Sequence, residues 1–240
     1  MTTMIQIYVR FNDGQVGSFV NTDVTEGALA EIQTGGTDLF QVAGVSAGQA
    51  FTGKVATHAI AKVQTDGATT GSFCYAYFRA PSGDIICPIQ GGGASVSGME
   101  PLCKNVPMQT GVTLHAKWDA LVDGAAVCSL AVVAASGKCD VFSVASVSGT
   151  AKSLVNEQGA TIGQSMQGQT AVKFYATAAI TNGLDEGGAG NGGFFLESST
   201  GILKGMFTPA RGNGQTPSPW MNIPIAIEQN DTLQVLSDKN

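Results

Sequence analysis

The stretch SGDIICPIQGGGASVSGMEPLCKNVPMQTGVTL, Ser82–Leu114, has a counterpart in TGILKGMFTPARGNGQTPSPWMNIPIAIEQNDTL, Thr200–Leu233. Each starts at a Gly after Ser or Thr and passes through an apolar run into a Gly-rich loop. Each then reads Asn, a β-branched residue, Pro and an apolar residue, and closes on Thr-Leu. A cadence repeated in that order predicts an internal duplication. A repeat decides the architecture before any single element does.

Further matches extend outward from these two stretches. Asp38–Gly48 (DLFQVAGVSAG) reads like Asp140–Gly149 (DVFSVASVSG), after which the second copy carries TAKSLVNEQGAT, Thr150–Thr161, as an expected insertion. Gly48-Gln49 then answers Gly163-Gln164, Gly53 answers Gly168, and Thr65-Asp66-Gly67 answers Thr181-Asn182-Gly183. Tyr77-Phe78 is set against Phe194-Phe195, Asn105-Val-Pro-Met against Asn222-Ile-Pro-Ile, and Thr113-Leu114 against Thr232-Leu233.

Within each copy the segments read as strands. IQIYVRF, KVATHAIAKVQ, SFCYAYFRA and DIICPI are short, rich in β-branched and aromatic residues, and bounded by Asn, Asp, Gly or Pro. TAVKFYATAAIT, GGFFLES, ILKGMF, NIPIAIEQ and TLQVLS continue the pattern. Asp66-Gly67 and Asn182-Gly183 suit tight reversals that need a positive φ. Proline cannot donate a ladder hydrogen bond, so the doubled Asn-[Val/Ile]-Pro predicts an edge strand or a bend in both copies. Helix is expected only in short pieces, at Thr25–Gln33 and Thr150–Gln158. The expected fold is all-β, two tandem, internally duplicated β-sandwich units of jelly-roll type. Residues 1–117 form the first unit and 118–240 the second, with its insertion near 150–161.

Composition narrows the function classes. Asp, Glu, Lys and Arg make up 12% of the 240 residues, about half the usual share, and Gly occupies 32 positions. So little charge fits a subunit that hides neutral surface against neighbours. The net charge of -6, without a basic cluster, argues against direct nucleic-acid binding, which needs grouped Lys or Arg to displace phosphate counterions. No apolar run is long enough to span a bilayer, so no transmembrane segment is expected. The opening MTTMIQIYVRFNDG lacks the basic, apolar and small-residue order of a secretion signal, so synthesis in a cytoplasm is expected. Five cysteines, Cys74, Cys87, Cys103, Cys128 and Cys139, without a C-x-x-C pair, are expected as reduced, buried thiols.

No reaction centre emerges. The clusters at Gly91 and Gly187 lack the Gly-Lys-Ser/Thr ending of a phosphate loop and read as turning loops. A hydrolase triad would draw on His58 or His115, yet the other copy offers Lys173 or Phe174 and Gln234 at the matching places. An acid and base on a β scaffold would come from scattered residues such as Asp84, Asp185 and Glu197. No catalytic residue, cofactor or metal ligand is therefore assigned. His58 and His115 lack the neighbouring ligands a zinc site needs. Asp185, Glu186 and Asn191 offer some of the oxygens a calcium ion takes, and whether calcium binds is open. With Trp220, in PSPWMN, these three residues form the candidate ligand or contact surface, and Trp118 is a second aromatic for a sugar-binding face.

A Gly-rich, all-β chain of low charge content, with a doubled sandwich and no active site, resembles virion structural proteins. In architecture it resembles the double jelly-roll major capsid proteins. The resemblance spans the whole chain and implies homotrimers that form pseudo-hexameric capsomers and a shell. Its partners would be other copies of itself and other virion proteins, with no direct nucleic-acid contact and an internal membrane or protein layer beneath the shell. Location in the virion follows. The alternatives are a capsid decoration or cement protein and a carbohydrate-binding tail adhesin or binding module, with an enzyme ranked last.

Overall fold

In the segment TMIQIYVRF the side chains of Ile5, Ile7, Val9 and Phe11 are buried, while Gln6, Tyr8 and Arg10 between them point the other way. This period of two is the signature of a strand with one face on a core. The same alternation builds nearly every element of the computed structural model. The model describes residues 3–22, 24–25, 27–34, 43–65, 72–89, 91–92, 98–120, 126–147, 151–180, 191–207 and 221–238. The chain divides into two compact units, Met1–Ala120 and Leu121–Asn240. The first unit runs on past residue 117 because the last strand's ladder continues to Ala120.

The first unit contains β1 (Thr3–Phe11), β2 (Val16–Asn21), β3 (Leu29–Thr34), the single-turn helix α1 (Ala47–Ala50) and β4 (Val55–Thr65). It continues through β5 (Ser72–Arg79), β6 (Ile85–Ile89), the two-residue β7 (Gly91–Gly92), β8 (Glu100–Pro107) and β9 (Thr113–Ala120). One layer is β2-β1-β4-β8 and the other β3-β9-β5-β6, and pairing of Phe19 with Thr34 joins the two into one folded sheet. The chain crosses between layers at β2–β3, β3–β4, β4–β5, β6–β8 and β8–β9, as in a jelly roll. Ile5, Ile7 and Val9 from one layer share a core with Ala76, Phe78, Leu114 and Trp118 from the other. Phe51, just after α1, closes one end by stacking on Phe11 at 4.3 Å between ring centroids.

The second unit contains β10 (Ala126–Ala134), β11 (Cys139–Val147), β12 (Lys152–Leu154), α2 (Ile162–Ser165) and β13 (Thr170–Ile180). After these come β14 (Asn191–Glu197), β15 (Leu203–Phe207), β16 (Met221–Ala226) and β17 (Thr232–Asp238). Its layers are β11-β10-β13-β16 and β12-β17-β14-β15, around Leu130, Val132, Phe142, Phe174, Phe194 and Leu233. Strand for strand this is the pairing scheme of the first unit. The turns agree as well. Gly14 donates its N–H to Phe11 O at 3.0 Å and Gly137 to Ala134 O at 2.9 Å; Gly83 donates to Ala80 O at 2.9 Å and Gly201 to Ser198 O at 3.0 Å.

Several expectations are corrected. Strand β3, Leu29–Thr34, takes up the second half of the expected helix Thr25–Gln33, and Lys152–Leu154, inside the expected helix Thr150–Gln158, forms β12. Tertiary pairing overrides the local helix signal, since Ile32 faces Leu114 on β9 and Leu154 faces Leu233 on β17, all fully buried. The helices lie elsewhere, each opened by a hydroxyl cap: Ser46 accepts from Gln49 N–H and Thr161 from Gln164 N–H. The expected insertion at 150–161 is not one, because β12 has β3 as its counterpart; the first unit is the one with the longer connection from β3 to α1. Asp140–Val147 lies in β11, whose partner scheme matches β2, so its likeness to Asp38–Gly48 is not structural. Residues 38–42, 66–67 and 182–183 lie outside the described residues. Met108 and Ile227 each donate an N–H to the residue before the long strand, Lys54 O at 2.8 Å and Gln169 O at 2.9 Å. They are therefore equivalent, and the Asn-x-Pro alignment is two residues out. The strand prolines do sit on edges: Pro88 in β6, Pro101 and Pro107 in β8, and Pro224 in β16.

Candidate functional site

Of the residues singled out from the sequence, Trp220, Asp185 and Glu186 lie outside the described residues. Asn191 opens β14 opposite Asp238. Trp118 does not line a surface. It is 5% exposed, and its indole N–H donates to Val24 O at 2.8 Å inside the first unit. The long strand β9 forces this, since Trp118 shares the inward face with Leu114 and Ala116.

The histidines stand in different layers. His58 on β4 has Nδ1 at 3.0 Å from Thr57 Oγ1, and His115 on β9 has Nε2 at 3.0 Å from Thr113 Oγ1 with its ring stacked on Tyr77. Asp84 accepts from Ser82 Oγ at 2.6 Å in an exposed turn, and Glu197 accepts from Gln234 Nε2 at 2.8 Å. Asp84 belongs to the first unit and Glu197 to the second. Among the described residues no three His, Cys, Asp or Glu side chains come together as a metal site.

A surface with a different character occupies one edge of the second unit. Among the described residues, strands β15 and β16 are the terminal strands of their two layers, each with a ladder partner on one side only. They approach closely across the open side of the sandwich: a Cβ added to Gly205 would lie 2.7 Å from Ile225 Cδ1. A side chain there would have to push the end of the isoleucine aside. Flanking this seam are Ile202, Leu203, Met206 and Ile223, exposed by 65%, 52%, 59% and 41%. Among the described residues only Val16 adds to these as an exposed large hydrophobic. Exposed apolar side chains on or beside terminal strands are the kind that form a contact surface. The pattern could be found in the sequence as GILKGMF, whose apolar residues fall on both faces of a short strand.

Beside this edge lies a buried ion pair. Lys204 Nζ is 2.7 Å from Asp231 Oδ2, and the Asp231 side chain is fully buried. The same Oδ2 accepts Glu228 N–H at 2.8 Å, whereas Oδ1 has no hydrogen-bond partner. The pair anchors β15 to the turn that leads into β17. A second buried carboxylate, Asp140, accepts from Asn156 Nδ2 at 2.9 Å and from Ser165 Oγ, and so ties the loop after β12 to the end of α2.

The first unit's matching edge, β6 and β8, is different. Cys87 stands where the second unit has Gly205, since Cys87 pairs with Phe78 and Gly205 with Leu196 at the same ladder position. Glu100, Pro101, Asn105 and Pro107 are exposed on β8, with no large apolar group among them. The first unit also carries a cleft of about 310 Å³ lined by Asn21, Thr22, Glu31, Gln33, Thr34 and Gly44 together with Val20. Its amides partly satisfy one another: Asn21 Nδ2 donates to Glu31 O at 3.4 Å.

Among the described residues no helix is long and apolar enough to cross a membrane. No protein-family model matches this sequence, and no curated protein and no solved structure matches it.

Proposed function

We propose that the chain is a virion structural protein, a capsid subunit that assembles through lateral contacts. The observation that carries this reading is the shared pairing scheme of the two units, in which eight of the first unit's nine described strands are paired and ordered as the eight of the second. Two sandwiches of one topology in a single chain let three chains present six similar units around an axis, a pseudo-hexameric capsomer. The exposed Ile202, Leu203, Met206 and Ile223 support it, because such a surface is buried in a working assembly. The low charge acts in the same direction, since a Lys or Glu trapped in a lateral contact would cost desolvation energy. The edge strands differ between units, apolar in the second and polar in the first, so six-fold equivalence is broken and each unit takes its own neighbour.

Mass measurement in solution together with negative-stain microscopy tests the proposal. Trimers, capsomers or closed shells are the expected result, and a stable monomer at micromolar concentration across salt conditions would overturn it. A decoration protein is distinguished by trimers that bind a preformed shell and form none alone.

A binding module is a second reading, favoured by the polar cleft at Glu31, whose carboxylate, amides and hydroxyls are the groups that hold a sugar. Sugar-specific binding on a glycan array by a monomeric chain would move the assignment there.

A further inference from the structure

The edge of the first unit holds a feature with no counterpart in the second. Cys87 on β6 and Cys103 on β8 have their sulfurs 3.2 Å apart, although the residues belong to different layers of the sandwich. Neither is part of a disulfide in this structure. The geometry points to a reversible disulfide site at Cys87 and Cys103, a covalent clasp between the two sheets at the open edge of the first unit.

The placement is specific. A disulfide bond is about 2.0 Å long, so the sulfurs need to close by a distance that side-chain rotation supplies, with the strands already in place. Cys87 is fully buried and held: its thiol is 3.4 Å from Pro88 O and 3.7 Å from Lys104 O. Cys103 is half-buried, so a small reagent reaches it first. The other three cysteines are at most 5% exposed. Burial pushes the Cys128 thiol up to about 12, which keeps it protonated and unreactive.

The oxidant is a small-molecule disulfide of the glutathione class. The Cys103 thiolate attacks one sulfur of that disulfide; its S–S bond breaks, a mixed disulfide forms and one glutathione thiol leaves. The Cys87 thiolate then attacks Cys103 Sγ, the mixed bond breaks and the second glutathione leaves. Two electrons pass from the cysteine pair to the reagent, and the two cysteine protons end on the two released thiols. The clasp closes the chain between β6 and β8, including the Gly-rich residues 90–99, and so removes freedom from the unfolded chain. An oxidising compartment closes it and a reducing one opens it. This inference is independent of the assembly reading.

The experiment uses the full chain, purified reduced and treated with oxidised glutathione. Mass spectrometry is expected to show the loss of two hydrogens. Non-reducing peptide mapping should then join the Cys87 peptide to the Cys103 peptide, and Tm should rise by on the order of 10 °C, reversibly with a thiol reductant. Cys87→Ser should instead stop at one glutathione adduct on Cys103, and Cys103→Ser should show neither adduct nor clasp. A wild-type chain that keeps a stable glutathione adduct, or stays fully reduced in excess oxidised glutathione, would overturn the inference. Mapping that joined any other pair would overturn it as well.

Discussion

Val112 and Asp231 hold the same point in the two units. The carbonyl of Val112 accepts the Gly48 N–H at 2.8 Å, and the carbonyl of Asp231 accepts the Gly163 N–H at 3.0 Å. Each glycine is the second residue of a one-turn helix, and each acceptor immediately precedes the last strand of its unit. One unit fills the site with an apolar side chain exposed by 2%, the other with a carboxylate paired to Lys204. The backbone contact is therefore common to both units, and the side chain is free to differ.

Lys204→Met leaves the fully buried Asp231 carboxylate without its counterion and is expected to lower unfolding free energy by about 3 kcal/mol. Asp231→Asn leaves the partly exposed Lys204 with Glu228 at 3.6 Å and is expected to cost less, about 2 kcal/mol. The double variant Asp231→Val with Lys204→Met copies the first unit and should recover most of that loss. Urea unfolding of the three variants checks it; equal losses in the double and single variants would show that the pair itself is not what matters.

The two helix glycines admit no side chain. A Cβ on Gly48 would overlap the Gln109 carbonyl oxygen, and one on Gly163 would lie 2.5 Å from Gln229 O and 2.6 Å from Asp231 N. Backbone cannot move aside as a side chain can, so Gly48→Ala and Gly163→Ala should each cost about 3 kcal/mol or more. Gly98→Ala, with open space around it, is the control and should stay within about 0.5 kcal/mol of the parent. Thermal unfolding reads both.

The apolar edge should be separable from the fold. Leu203→Glu with Met206→Glu places two charges on side chains that are already exposed, so far-UV circular dichroism should remain that of the parent. Oligomers should be lost, with at least a ten-fold weaker association, about 1.4 kcal/mol. Undiminished assembly in light scattering would place the lateral contacts elsewhere.

An exposed ion pair predicts a local acid response. The Lys54 ammonium beside Asp13, with help from the Gln15 N–H, holds the Asp13 carboxyl below its ordinary value of 3.8. The folded-state value lies under the unfolded one, so this contribution is present above about pH 4. It is lost as pH falls through the folded-state value. Carboxyl NMR titration should find Asp13 titrating below 3.8, and Lys54→Met should return it toward that value.

The strands and their faces were legible in the sequence, because a strand exposes its period of two directly: Ile5, Ile7, Val9 and Phe11 alternate with polar or half-buried neighbours. Edge strands were legible through Pro107 and Pro224, and the closing Thr113-Leu114 and Thr232-Leu233 mark the same place in both units. Tertiary structure alone decided which strand meets which. A period of two names a face and not a partner, so Asp140–Gly149 matched Asp38–Gly48 as well as its true equivalent. It also let Asn105 align with Asn222 two residues out without turning any side chain to the wrong face. The helix signal at Thr25–Gln33 was local, whereas the pairing that overrode it joins Ile32 to Leu114 far along the chain. For the same reason neither the burial of Asp231 in the unremarkable turn QNDT nor the meeting of Cys87 with Cys103 could be read in advance. Both depend on segments well apart in the chain being brought together, and only the packed core does that.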